Sequence, residues 1–212
     1  MLDSEVAPFK LKPLPWKKNE LIPFMSDNTI TLIYDGYYKN NINELNSLAR
    51  QYPELRNKDV IEIVIDYPIG SPFNNVAAEI LNHEFFLRCL SPNGGSSSGR
   101  LYNTIVQQFQ SYDNFVLQFT ERAVNHFGSG WVWLVYDPTT TFLNIVDGDN
   151  AYNPIVDGLI CLMTLCVWEH SFILDHGFDK RDYVNKFWRF VNWVTIEQIM
   201  AESVFNYNLR IA

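Results

Sequence analysis

Histidine is scarce in this sequence: four in 212 residues, and none before residue 83. Any chemistry that needs imidazoles must therefore draw on His83, His126, His170 and His176. Basic residues are few as well, 16 Lys and Arg against 24 Asp and Glu, for a formal charge of −8. They are scattered, the densest set being Lys10, Lys12, Lys17 and Lys18. Nucleic-acid surfaces cluster such residues because phosphate neutralisation supplies most of the affinity, so proteins or small solutes are the expected partners. The three cysteines, Cys89, Cys161 and Cys166, form no CxxC pair. An odd, unpaired set points to free thiols in a reducing compartment. Apolar runs are short too. The strongest, Ile155 to Trp168, is interrupted by Asp157, Gly158 and Thr164, well under the length of a membrane span. The opening Met-Leu-Asp-Ser-Glu-Val is acidic, the wrong sign for a mitochondrial presequence. That leaves internal targeting or a trimmed chain.

What the sequence does have is hydrophobic mass: 47% hydrophobic residues, 15% aromatic and 19% charged. This is the profile of a packed globular protein. Pro13, Pro15 and Pro23 make residues 1–25 an extended arm. Ser26-Asp27-Asn28 offers a helix cap. Ile30, Ile33, Tyr34, Tyr37, Tyr38, Ile42, Leu45 and Leu48 then follow at helical spacing, predicting one long helix. Pro53 to Pro72 is irregular, with a short helical turn or strand near Val60–Ile65. A second helix is expected from Phe73 to Leu90. It is closed by Ser91-Pro92-Asn93-Gly94-Gly95 and a serine run, where the lobe boundary is placed. Leu101–Asn125 reads as helix in two pieces. Trp131–Tyr136 and Thr141–Val146 read as strands joined at Asp137-Pro138, and Leu159–Val167 as a third strand. Lys180 to Leu209 is helical again. The expectation is an α+β fold. An arm and long α-hairpin (residues 1–90) precede a mixed lobe (91–212) with a three-stranded antiparallel sheet and helices.

Four ordered stretches narrow this further. They are Leu81-Asn82-His83-Glu84-Phe85-Phe86 with Cys89-Leu90 and Pro92-Asn93; Asn125-His126-Phe127-Gly128-Ser129-Gly130-Trp131-Val132-Trp133-Leu134; Val167-Trp168-Glu169-His170 with Asp175; and Phe187-Trp188 with Val191-Asn192-Trp193. Together with Phe9, Leu11, Pro13-Leu14-Pro15 and Asn19-Glu20-Leu21, they resemble the iron/manganese superoxide dismutase family over almost the whole chain. The resemblance implies that family's fold, and a metal held by three His and one Asp. His83 and His170 match two of those ligands. The first-helix His falls at Ile33 and the Asp at Cys166. The gateway His and Tyr fall at Tyr37 and Asn41, the glutamine near the bound solvent at Glu79, and an interfacial tyrosine at Ile173. Glu169 corresponds to the family residue that contacts the partner subunit's metal-ligand His.

Ile33 has no lone pair to offer, and a thiol at Cys166 is a softer donor that peroxide would oxidise. Loss of half the ligands leads to the expectation of a pseudo-enzyme, with no catalytic residue and no cofactor-binding residue. It would hold no metal, and His83, Cys166 and His170 would form a vestigial pocket. The corresponding role is a non-catalytic structural subunit of a large mitochondrial complex on the matrix side, in the small ribosomal subunit or a respiratory-chain complex. It would be paired with protein subunits, as a homodimer or a heterodimer with a related pseudo-enzyme. Tyr37 and Tyr38 would suit such an interface. Two alternatives stand beside it: an active or altered metal-dependent superoxide dismutase, and a domain stabilised by zinc at His83, Cys166 and His170, with Glu79 or water as the fourth ligand. His126 is expected to be structural, and His176 a turn residue.

Overall fold

The computed structural model describes residues 8–211, with side chains described as far as residue 203. The extended arm is tied down by a reciprocal pair of bonds. Phe9 N–H donates to Asn46 Oδ1 at 3.0 Å, and Asn46 Nδ2 donates to the Phe9 carbonyl at 2.8 Å. Trp16 Nε1 donates to the Leu90 carbonyl at 3.2 Å, fastening the arm to the end of the second long helix.

The first rod is made of α1 (Asp27–Thr31), a π-helical stretch (Leu32–Tyr38) and α2 (Lys39–Gln51). Ser26 caps it by accepting from Thr29 N–H. The π-helical stretch holds both Ile33 and Tyr37, and periodicity alone gives no hint of it. Between Pro53 and Pro72, where sequence left helix and strand open, lies helix α3 (Val60–Asp66). The reciprocal capping box of Asp59 and Glu62 decides the matter. Ser71 and Pro72 open α4 (Pro72–Arg88), which packs against α2 and α3. The segment after α4 is pinned rather than free. Leu90 bridges Val191, Ser91 N–H donates to the Phe190 carbonyl at 2.8 Å, and Asn192 N–H donates to the Cys89 carbonyl at 2.8 Å. At Gly94 a Cβ would stand 1.9 Å from the Arg189 carbonyl oxygen, so only glycine fits.

The second lobe begins with α5 (Gly99–Phe109) and α6 (Tyr112–Asn125) and continues into the sheet. Strands β1 (Gly130–Tyr136), β2 (Leu143–Asp149) and β3 (Ile160–Cys166) form an antiparallel sheet in the order β2-β1-β3. This is the expected α+β architecture. The second strand starts two residues later than its sequence pattern suggests. The Asp137 carboxylate accepts from Thr139 and Thr140, and Thr141 sits at φ 66, so these residues belong to the turn. The end of the chain comprises α7 (Ile173–His176), α8 (Lys180–Phe187) and α9 (Trp193–Ile211), with a 3₁₀ turn over Trp188–Phe190 between the last two. Among the described residues, no helix is long and apolar enough to cross a membrane.

Candidate metal centre

Three elements meet beside the middle strand. His83 comes from α4, Cys166 from the end of β3, and His170 from the 3₁₀ turn Glu169–Ser171 that follows it. Their donor atoms lie within 4.8 Å of one another, and all three residues are buried. His83 Nε2 stands 3.2 Å from His170 Nε2, and Cys166 Sγ stands 3.8 Å from His170 Nε2.

The local geometry is fixed by neighbours. β3 places Cys166 opposite Trp131 in the ladder. The Cys166 carbonyl accepts from Tyr183 Oη at 2.9 Å and Ser171 Oγ at 3.1 Å, which clamps the turn carrying His170. His83 faces the Glu79 carbonyl at 2.8 Å through Nδ1. A carbonyl can only accept, so the proton resides on Nδ1 and the Nε2 lone pair points at its neighbours. This is the tautomer of a metal-ligating histidine. Trp131 meets the His83 ring edge-on at 4.9 Å. Tyr37 stacks on His170 at 3.9 Å, and Trp168 lies 5.6 Å from the same ring.

Burial sets the charge of the pocket. It lowers His83 to about 4, opposed by the bond to the Glu79 backbone, and it lowers His170 to about 3, aided by His83. The Cys166 thiol is pushed well above its ordinary range by burial. Glu79 is raised to about 8 by burial, and the Trp131 indole opposes that shift. Glu79 Oε2 lies 3.3 Å from His83 Nδ1, and burial disfavours the charged form of both groups. Glu79 Oε1 and Trp131 Nε1 are both buried without a hydrogen-bond partner.

The donor set suits a transition metal. Two neutral imidazoles and a thiol converge, one lone pair is already aimed inward, and imidazole and thiolate are both good donors to iron. Ile33 is fully buried and supplies nothing. Tyr38, expected at an interface, is buried and donates from Oη to Glu84 Oε2 at 3.0 Å, while Tyr37 covers His170. His126 binds Asp147 Oδ2 through Nδ1 at 2.9 Å, and His176 faces Asp182 Oδ2 and the Phe24 carbonyl. All three cysteines are free. The clamp of Ser171 and Tyr183 went unseen in the sequence. Ser171 adjoins His170, but Tyr183 carries no local signal.

The chain matches the iron/manganese superoxide dismutase alpha-hairpin domain over residues 8–91 and the C-terminal domain over residues 97–199. The chain belongs to this family. Among its relatives is superoxide dismutase [Fe] of Coxiella burnetii, 41% identical over 186 residues that cover 87% of this chain and 94% of the relative. Superoxide dismutase [Fe] of Salmonella typhimurium is 36% identical over 194 residues, 91% of this chain and 98% of the relative. The Entamoeba histolytica protein of the same name is 34% identical over 190 residues, 90% and 98% of the two chains.

These relatives overturn the expectation of a pseudo-enzyme. They are named superoxide dismutase [Fe] and align over most of this chain, which contradicts the reading as a structural subunit of a mitochondrial ribosome or a respiratory complex. The expectation of no cofactor, or of zinc, gives way for the same reason, because the named metal is iron. The error lay in equating two substituted ligands with a dead pocket. The remaining donors are not dispersed. They converge on one point, and the His83 proton is held on Nδ1, away from the other two.

Proposed function

We propose that this chain is an iron-dependent superoxide dismutase with an altered ligand set, in which His83, His170 and Cys166 hold the metal. The convergence of these three buried donor atoms carries the reading. The metal in the relatives' name and the thiol donor both favour iron over manganese. When bound, the metal supplies the one-electron couple by which two superoxide anions and two protons become dioxygen and hydrogen peroxide.

The rest is done by the chain's own side chains. The Glu79 carbonyl keeps the His83 proton on Nδ1, so Nε2 stays available. Ser171 and Tyr183 hold the backbone between Cys166 and His170, fixing their separation. Cys166 must give up its proton to act as a ligand, which couples metal uptake to proton release. Tyr37 is about two-fifths exposed and lies on the His170 ring, so it stands between solvent and the buried donors.

We also infer a homodimer. Phe127 and Phe178 are 96% and 98% exposed. The bond from Lys180 Nζ to the His126 carbonyl, 2.8 Å long, brings their segments side by side. Two such rings on one face suit a self-complementary contact.

The test is metal content and superoxide consumption of purified protein, alongside His83→Ala and His170→Ala. The expected result is that each substitution removes both iron and activity. Retention of iron and full activity by both variants would overturn the reading.

A further inference from the structure

A cavity of about 730 Å³ lies between α3, α4 and β3 and shares no residue with the metal cluster. Its volume is in the range of small-molecule sites. Much of its wall is apolar, from Ile61 and Ile65 on one face of α3, Leu81 and Phe85 on one face of α4, and Ile160 on β3, while Asn153 and Ser203 add polar groups. Trp133 is fully buried and forms the floor, and its indole N–H has no hydrogen-bond partner among the described residues. Ile61 and Ile65 are 42% and 52% exposed, although both line the cavity.

Lys12, Glu84 and Arg88 carry the charge at the rim. Lys12 is neutralised by Glu84 at 2.6 Å. Arg88, one turn beyond Glu84 on α4, also lines the cavity. It is exposed, with no ion pair or hydrogen bond among the described residues. A free guanidinium at the edge of an apolar groove is complementary to an amphiphile with an apolar body and a carboxylate head. The whole chain carries −8, so long-range attraction works against an anion and any preference for one must arise locally.

We propose that this groove binds a small amphiphilic carboxylate, its chain against Ile61, Ile65, Leu81 and Phe85 and its head on Arg88. The test is calorimetric titration of the purified protein with decanoate below its micelle concentration, with decyltrimethylammonium as the control of opposite charge. The expected result is saturable binding of one decanoate per chain. It should weaken by about tenfold in Arg88→Gln, the scale of one charge-assisted hydrogen bond, and vanish in Leu81→Trp, which fills the groove. Arg88 is exposed, so its variant leaves the packing intact. Absence of saturable heat, equal binding of the two amphiphiles, or unchanged affinity in Arg88→Gln would each overturn the proposal. Iron content serves as an independent readout that none of these outcomes should move.

Discussion

Cys166 is the residue on which the reading of the site turns. As a lone substitution for a carboxylate it signals lost chemistry. In place, its sulfur stands 3.8 Å from His170 Nε2, with its carbonyl held by two hydroxyls. Cys166→Ala should weaken iron retention by about tenfold or more, since even a lost supporting hydrogen bond costs about 10–100-fold in affinity. Dialysis against a graded chelator, followed by elemental analysis, measures this directly, and unchanged retention would remove the thiol from the ligand set. His83, Cys166 and His170 were legible in the sequence because each sits inside a short motif. Tyr37 was legible as a gateway position, but its stacking on His170 depends on the π-helical register, which periodicity does not reveal. Tyr183 lies 17 residues from the carbonyl it holds, and only the fold brings it there.

At the scale of elements, the turn bearing His170 leans on the first rod. The Asp175 carboxylate accepts from Ser26 N–H and from Thr29 Oγ1, each at 2.7 Å, joining α7 to the start of α1. Burial would raise this carboxyl, but the Ser26 backbone, the Ser26 and Thr29 hydroxyls and His176 together hold it below its ordinary value. Asp175→Ala should cost about 1 kcal/mol, a figure reduced for the group's partial exposure. A carboxyl depressed in the folded state adds stability above its unfolded value of about 3.9 and loses it as pH falls through the lowered one. Urea unfolding of both proteins should therefore differ by a constant amount above about pH 5, begin to converge near pH 4 and meet only below the lowered value. A difference that persisted undiminished in acid would point to packing instead. The long helices and the three strands were readable from period and caps. The start of β2 was not, because Thr141 adopts a left-handed backbone that its side chain does not advertise.

For the whole molecule, the aromatic density that marked a packed protein divides into a core and a surface. Trp131, Trp133 and Phe187 are fully buried, whereas Phe127 and Phe178 are almost wholly exposed. If the inferred homodimer forms through this face, Phe178→Glu should sediment as a monomer while each chain stays folded, because the ring makes no core contact to lose. A variant that still sedimented as a dimer would place the interface elsewhere. The family was legible from ordered motifs alone. The activity was misjudged because counting ligands along the chain says nothing about where the remaining donors point. Superoxide turnover by this altered cluster through bound iron can be measured by stopped-flow decay on samples reconstituted to graded iron occupancy. The rate should be proportional to iron bound per chain and vanish at zero occupancy. Full occupancy with decay no faster than in buffer would contradict such turnover.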